Sequence, residues 1–227
     1  MKSLIYLLAT AAISCLTAFS AQAFTVTIEE PTIQTEQSAD DLFTIDFDNL
    51  AVNSTASFSE TNSSTSSTYT YSDDLIIQST NIYGGADNTT YIEPASRPNS
   101  YTVSVNNPQK YFGLWWSAGD ESNILLFKKD GAVVAIFNTS DVINKVGELS
   151  NSSDYYCNPT VSYTGEVCHE PFVFINFFFN EAGESYDEIV FMATDSGGNF
   201  ESDNHTFSVD PQPHRGTPVP VTMIYAD

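Results

Sequence analysis

Basic side chains are scarce in this chain: 7 lysines and arginines stand against 29 aspartates and glutamates, a formal net charge of −22. Such a surface repels a phosphate backbone, so DNA and RNA are excluded as partners. Cysteine and histidine are as rare, with 3 of each in 227 residues. Cys157, Cys168 and His169 fall short of the soft ligands that a structural zinc site requires. Beyond residue 23 no apolar run approaches the roughly 18 residues of a membrane-spanning helix. The longest, PFVFINFFF at 171–179, is strand length. Gly-x-Ser-x-Gly and a phosphate-cradling glycine loop are both missing, which removes two common routes to hydrolase and nucleotide chemistry.

The first residues supply what the rest lacks. Lys2 precedes a mostly apolar stretch over 4–19, and Ala21-Gln22-Ala23 forms a small-x-small cleavage site. That pattern predicts a signal peptide over 1–23, cut before Phe24, and a secreted, periplasmic or cell-surface product without a membrane span. A lipid anchor on Cys15 fits less well, because apolar sequence continues past it. In an exported chain the two remaining cysteines, Cys157 and Cys168, are expected to form a disulfide closing the loop CNPTVSYTGEVC.

Short runs rich in β-branched and aromatic residues recur throughout: FTVTIE (24–29), LFTIDF (42–47), LIIQS (75–79), YTVSVN (101–106), KYFGLWW (110–116), NILLFKK (123–129), AVVAIFN (132–138), FVFINFFF (172–179), DEIVFMA (187–193) and HTFSV (205–209). Polar turns separate them, and Asp130-Gly131 marks a tight hairpin because both positions accept positive φ. One short helix fits residues 140–146. The spacing predicts an all-β fold, a jelly-roll-like β-sandwich over 24–210 with one short helix. Residues 58–74 read as a long loop or a pair of exposed edge strands. Residues 211–227 read as a Pro-rich tail leaving the domain.

The series YFGLWWSAGD, AIFNTSDVIN, PFVFINFFF and YDEIVFMATDSGGNFESDNHTFSV resembles, in matching order, a family of exosortase-dependent (PEP-CTERM-type) bacterial surface proteins. The resemblance covers roughly residues 42–210. It implies an exported β-rich domain at the cell surface and carries no enzymatic activity with it. Members of that family end in a Val-Pro-Glu-Pro motif, an apolar helix and a basic cluster. This chain ends PQPHRGTPVPVTMIYAD, lacking that sorting helix, which favours release or retention by a partner.

Catalytic signals are weak. TDSGGN (194–199) shares Asp-Ser-Gly-Gly with trypsin-like nucleophile loops, yet only His169 precedes Ser196, too near to be a base from a second barrel. The segment reads as a Gly-Gly turn between strands. Paired acids are a better constellation. Asp46 and Asp48 alternate with apolar neighbours, so both carboxylates project from one strand face, and Glu201 and Asp203 repeat that spacing beside Asn204. Ca²⁺ takes six to eight oxygens of this kind, and a site shared by two edge segments would suit it. A solvated acidic face is the competing reading.

Alternation also divides the two tryptophans. Phe112, Leu114 and Trp116 point to one side and are assigned to the core between the sheets. Trp115 shares its face with Tyr111 and Gly113, which leaves room above it. It is covered by the short helix near Val142 or is open to a ligand. With Tyr83 and Asp120 in Gly-flanked turns, Trp115 completes a candidate ligand-binding set. The functional expectation is a non-catalytic surface or extracellular-matrix protein, glycan-binding and calcium-stabilised. Its partner would be an extracellular polysaccharide or another surface protein, with a glycan-active enzyme as the remaining alternative.

Overall fold

The computed structural model describes residues 24–35, 42–55, 57–72, 74–95, 100–194 and 198–221. The expected leader, and residues 195–197 of the Gly-Gly turn, lie outside this set. β1 (Thr25–Ile28) and β2 (Phe43–Ile45) precede a hairpin of β3 (Phe58–Asn62) and β4 (Ser67–Tyr71). Next come β5 (Leu75–Gln78), β6 (Tyr91–Pro94), β7 (Ser100–Gln109) and β8 (Tyr111–Ser117). β9 (Asn123–Lys129) and β10 (Ala132–Asn138) lead into α1 (Ser140–Glu148). β11 (Val173–Phe178), β12 (Tyr186–Ala193), β13 (Glu201–Ser208) and β14 (Thr217–Val219) complete the order.

One antiparallel sheet runs β14-β1-β11-β8-β13-β6-β5, with β2 also paired to β13, and the other runs β10-β9-β12-β7-β4-β3. From β8 onward the chain repeatedly crosses between the two sheets, so the fold is the all-β, jelly-roll-like sandwich read from the sequence, with one α-helix among the described residues. Asp130 (φ 51°) and Gly131 (φ 79°) both take left-handed backbone in the β9–β10 hairpin, the geometry of a type I′ turn.

The core lies between the sheets, built from alternate residues of each strand. Phe112, Leu114 and Trp116 of β8 align with Phe177, Ile175 and Val173 of β11, and all six are buried. Leu125 and Phe127 of β9 and Ile189 and Phe191 of β12 face them from the other sheet. β8 and β11 are buried at every position, because the outer face of their sheet is covered as well. That second cover explains why FVFINFFF shows no polar alternation.

Three expectations need correction. The Pro-rich segment does not leave the domain at residue 210: β14 returns to pair with β1, matching Val26 with Val219, and Gln212 is buried against Ser208. Of residues 58–74, 58–71 form the edge hairpin β3–β4, the second of the two readings of this segment, but Tyr69 and Tyr71 point inward and are buried. The short helix does not cover Trp115. The room above Gly113 holds the Phe174 ring, and Trp115 packs with Ala86, Ala118, Phe172 and Phe174 under Val167.

A buried histidine sits in the main core. His205 stacks on Phe191 with ring centroids 5.0 Å apart; its Nδ1 lies 3.0 Å from the Tyr71 hydroxyl and its Nε2 3.0 Å from Ser202 Oγ. Burial holds this imidazole down to about 3. The side chain turns inward because β13 carries a bulge between Asp203 and Thr206, with Asn204 at φ 50°. Ser202 faces the core before the bulge, and His205 and Phe207 face it after.

Candidate functional site

The outer face of the first sheet carries a cleft of about 350 Å³ at its β5–β6 edge. Strand alternation builds its floor. Leu75, Ile77 and Ile92 point into the core, so Gln78, Tyr91 and Glu93 point outward. Ser202 of β13 pairs with Ile92, which puts Glu201 beside Glu93 on the same outward face. Asp120 arrives on the loop after β8, Glu170 on the approach to β11, and Asn199 on the approach to β13.

Glu93 is held on both oxygens: Gln78 Nε2 donates to Oε1 and Asn199 Nδ2 to Oε2, each at 2.7 Å. Asn199 is fixed in turn, since its carbonyl accepts from Asn123 Nδ2 at 2.7 Å. Tyr91 accepts a hydrogen bond from Asn81 Nδ2 at 2.9 Å. Burial pushes its hydroxyl well above the ordinary phenol range, and the Glu93 charge adds to that push. Glu170 is also raised, first by burial and then by the nearby Asp120 carboxylate, with His169 pulling the other way. Among the described lining residues there is no lysine, arginine or histidine.

Tyr83 stands at the rim, 47% exposed. Its loop is pinned from outside by the segment that the disulfide closes. Cys157 and Cys168 are bonded. Within that loop Asn158 Nδ2 donates to the carbonyls of Asn81 and Ile82, Thr160 Oγ1 to Gly85, and the Tyr163 hydroxyl to Thr80. Gly85 has φ 95°, and a Cβ there would strike Thr89 and Thr80. The two loops therefore behave as one clasp.

The sequence-derived calcium set divides in place. β2 does pair with β13, as expected of the two acidic segments, and Asp48 and Asp203 both accept hydrogen bonds from the 86–90 turn. Asp203 is buried and accepts from the backbone N–H of Ala86 (2.9 Å), Thr89 Oγ1 (3.0 Å) and its neighbour Asn204 N–H (2.7 Å). Asp48 accepts from the N–H and hydroxyl of Thr90, while Asp46 Oδ1 accepts from the Asp48 N–H. Asn204 donates to Gln34, and Glu201 turns into the cleft. Asp48 and Asp203 thus fasten the 86–90 turn. Among the described residues no three His, Cys, Asp or Glu side chains stand together as a metal-holding group.

Of the proposed ligand residues, Tyr83 and Asp120 line the cleft and Trp115 does not. Trp115 is 3% exposed beneath Val167, with no open ring face. Glu93, Glu170 and Asn199 were missed by sequence reasoning. The only local hint was the alternation of Tyr91 and Glu93 in TTYIEP, between two turns.

No family model, curated protein or solved structure matches this chain.

Proposed function

We propose that this protein is an exported, non-catalytic carbohydrate-binding β-sandwich acting at the cell surface or in the extracellular matrix, and that the β5–β6 cleft is its recognition site. The observation that carries this reading is the exposed ring of Tyr83 above a floor of fixed carboxylates and amides. Pyranose rings present C–H faces to aromatic rings and hydroxyls to Asp, Glu, Asn and Gln. A volume of about 350 Å³ falls within the range of small-ligand clefts. Export rests on the leader sequence and agrees with the disulfide, a bond of oxidising compartments.

The test is a glycan array probed with the disulfide-intact protein, repeated with Tyr83→Ala. Binding to a defined oligosaccharide that weakens in the variant supports the reading. Capture of surface proteins with no glycan signal replaces it with an adhesive role, and release of reducing sugar replaces it with a glycan-active enzyme. Calcium stabilisation belongs to the same proposal, with Asp46, Asp48, Glu201, Asp203 and Asn204 as its sequence-derived oxygens. Melting in Ca²⁺ and in EDTA tests it, and equal Tm values remove it.

A further inference from the structure

The six-stranded sheet turns outward a face unlike the rest of this acidic chain. Val103, Ile189 and Phe127 point into the core, so the residues that alternate with them face out. Across β12 and β9 the outward positions pair as Glu188 with Lys128, Val190 with Leu126, and Met192 with Ile124. Glu188 and Lys128 are joined at 2.6 Å. The outward positions of β10, β7, β4 and β3 carry no charge at all. At the β9–β10 turn just beyond, Lys129 answers Asp187 at 2.9 Å and Asp130 at 3.3 Å. Two of the 7 basic residues are therefore placed where they cancel the acids of this one face, in a chain of net charge −22. The opposite sheet instead opens into a cleft with four carboxylates among its lining residues.

The same face is apolar where those pairs lie. Ile124, Leu126, Ile136 and Met192 are partly exposed, and Val133 is 46% exposed. Among the described residues none of the five packs against either hydrophobic cluster. A contiguous apolar stripe of this kind marks an interaction surface. A second copy of the chain fits it, because the charge pattern is its own complement. Two copies stacked face to face, about a two-fold axis running between β9 and β12, lay β9 of each over β12 of the other. Lys128 then meets the partner's Glu188 and Glu188 the partner's Lys128, so four charges alternate around a ring. Leu126 meets the partner's Val190, Ile124 meets the partner's Met192, and β10 covers β7. We infer that this protein associates as a two-fold dimer through the outer face of β10, β9, β12 and β7. Only these four strands overlap, a footprint of about 400 Å² from strand spacing and length. That lies at the small end of specific interfaces, so the dimer is concentration-dependent and not obligate. The inference does not depend on the carbohydrate reading. The clefts lie on the opposite sheets, so pairing sets two of them facing outward on one particle, and a repeating ligand can engage both.

Sedimentation velocity of the disulfide-intact protein, from about 1 to about 200 μM, is expected to show monomer passing to dimer. Added NaCl should tighten the dimer, because it screens the repulsion between two bodies of net charge −22. Leu126→Glu, Lys128→Glu and Glu188→Lys should each weaken self-association about tenfold or more, since each sets an unmatched charge against the partner. The two charge variants mixed in equal amounts should pair about as tightly as the wild-type protein, because each supplies the sign that the other lacks. Loss of stability in either variant would give no such rescue. Val161→Glu, on the exposed loop that the disulfide closes, should leave association unchanged. A monomer at every concentration overturns the inference. A dimer that tolerates Leu126→Glu, or charge variants that pair no better mixed than alone, overturns it as well and moves association to another surface.

Discussion

The indole N–H of Trp116 donates to Asn123 Oδ1 at 2.9 Å, in the middle of the hydrophobic core. Asn123 passes the constraint outward through its Nδ2 to the Asn199 carbonyl, and Asn199 Nδ2 holds Glu93. A chain of amides therefore connects the packed interior to the floor of the cleft. Rigid support of this kind keeps a binding group in one orientation before its ligand arrives.

Removing the middle of that chain should be felt at both ends. Asn123→Ala leaves the Trp116 N–H and the Asn199 carbonyl without their side-chain partner. Expected destabilisation is about 2–4 kcal/mol by urea unfolding, two buried groups unmade. A loss below about 0.5 kcal/mol, within the usual range of surface substitutions, would show that the amide chain contributes nothing.

Asp203 and His205 are buried two residues apart, and they make opposite demands on pH. His205 titrates near 3 when folded against 6.5 when free, so the unfolded chain takes up the proton first on acidification. Its contribution is lost as pH falls from 6.5 towards 3. Asp203 titrates near 7 when folded against 3.8 when free, raised by burial against the pull of its three donors. Its contribution is lost as pH rises from 3.8 towards 7. Between about pH 4 and 6.5 the two slopes offset each other, each at most about 1.4 kcal/mol per pH unit. Asp203→Asn should therefore become less stable on acidification relative to wild type, and His205→Leu less stable as pH rises. Urea midpoints at pH 4.5, 5.5 and 6.5, referred to wild type, check both signs.

The disulfide has a structural and a functional prediction. Cys157→Ser with Cys168→Ser should cost about 3 kcal/mol, the loop-closure value for a ring of this length. It should also free the Tyr83 loop, which Asn158, Thr160 and Tyr163 hold in place. Hydrogen exchange over 80–90 should accelerate in the double variant more than in β8. Uniform exchange across both segments would argue against the clasp.

Gly113 gives a steric test. A Cβ there meets the Phe174 ring and the Tyr111 hydroxyl. Gly113→Ala should destabilise by about 1–3 kcal/mol through overpacking, read as a fall in Tm, and a neutral result would mean that the outer cluster can shift.

How much of this was legible in the sequence depended on the range of the forces involved. NILLFKK, the Asp-Gly turn and AVVAIFN form a hairpin from local rules alone, and they were read as one. YIEP and TPV were passed over because each is short and carries a proline; both pair at their register only because a neighbouring strand is waiting. The face of Trp116 followed from alternation, but the cover over Trp115 comes from Ala86 and Val167, distant in sequence. The cleft is harder still. Tyr83, Asp120 and Glu201 were each singled out, yet nothing local shows that they face one cleft together with Glu93, Glu170 and Asn199. The calcium set is divided in space for a related reason: alternation places Glu201 and Asp203 on one face, but not what packs against each.

β14 lies antiparallel to β1 with Val219 opposite Val26, so the chain enters and leaves the sandwich at the same corner. Ladder bonds in an antiparallel pair run across the strands. Tension applied between the two ends of the domain would therefore load them one at a time, as a zipper is opened, and not all together in shear. β14 would peel away at low force and leave β1 as the new sheet edge, still paired to β11. Mechanically, this is a domain with a yielding seam and a stiff body.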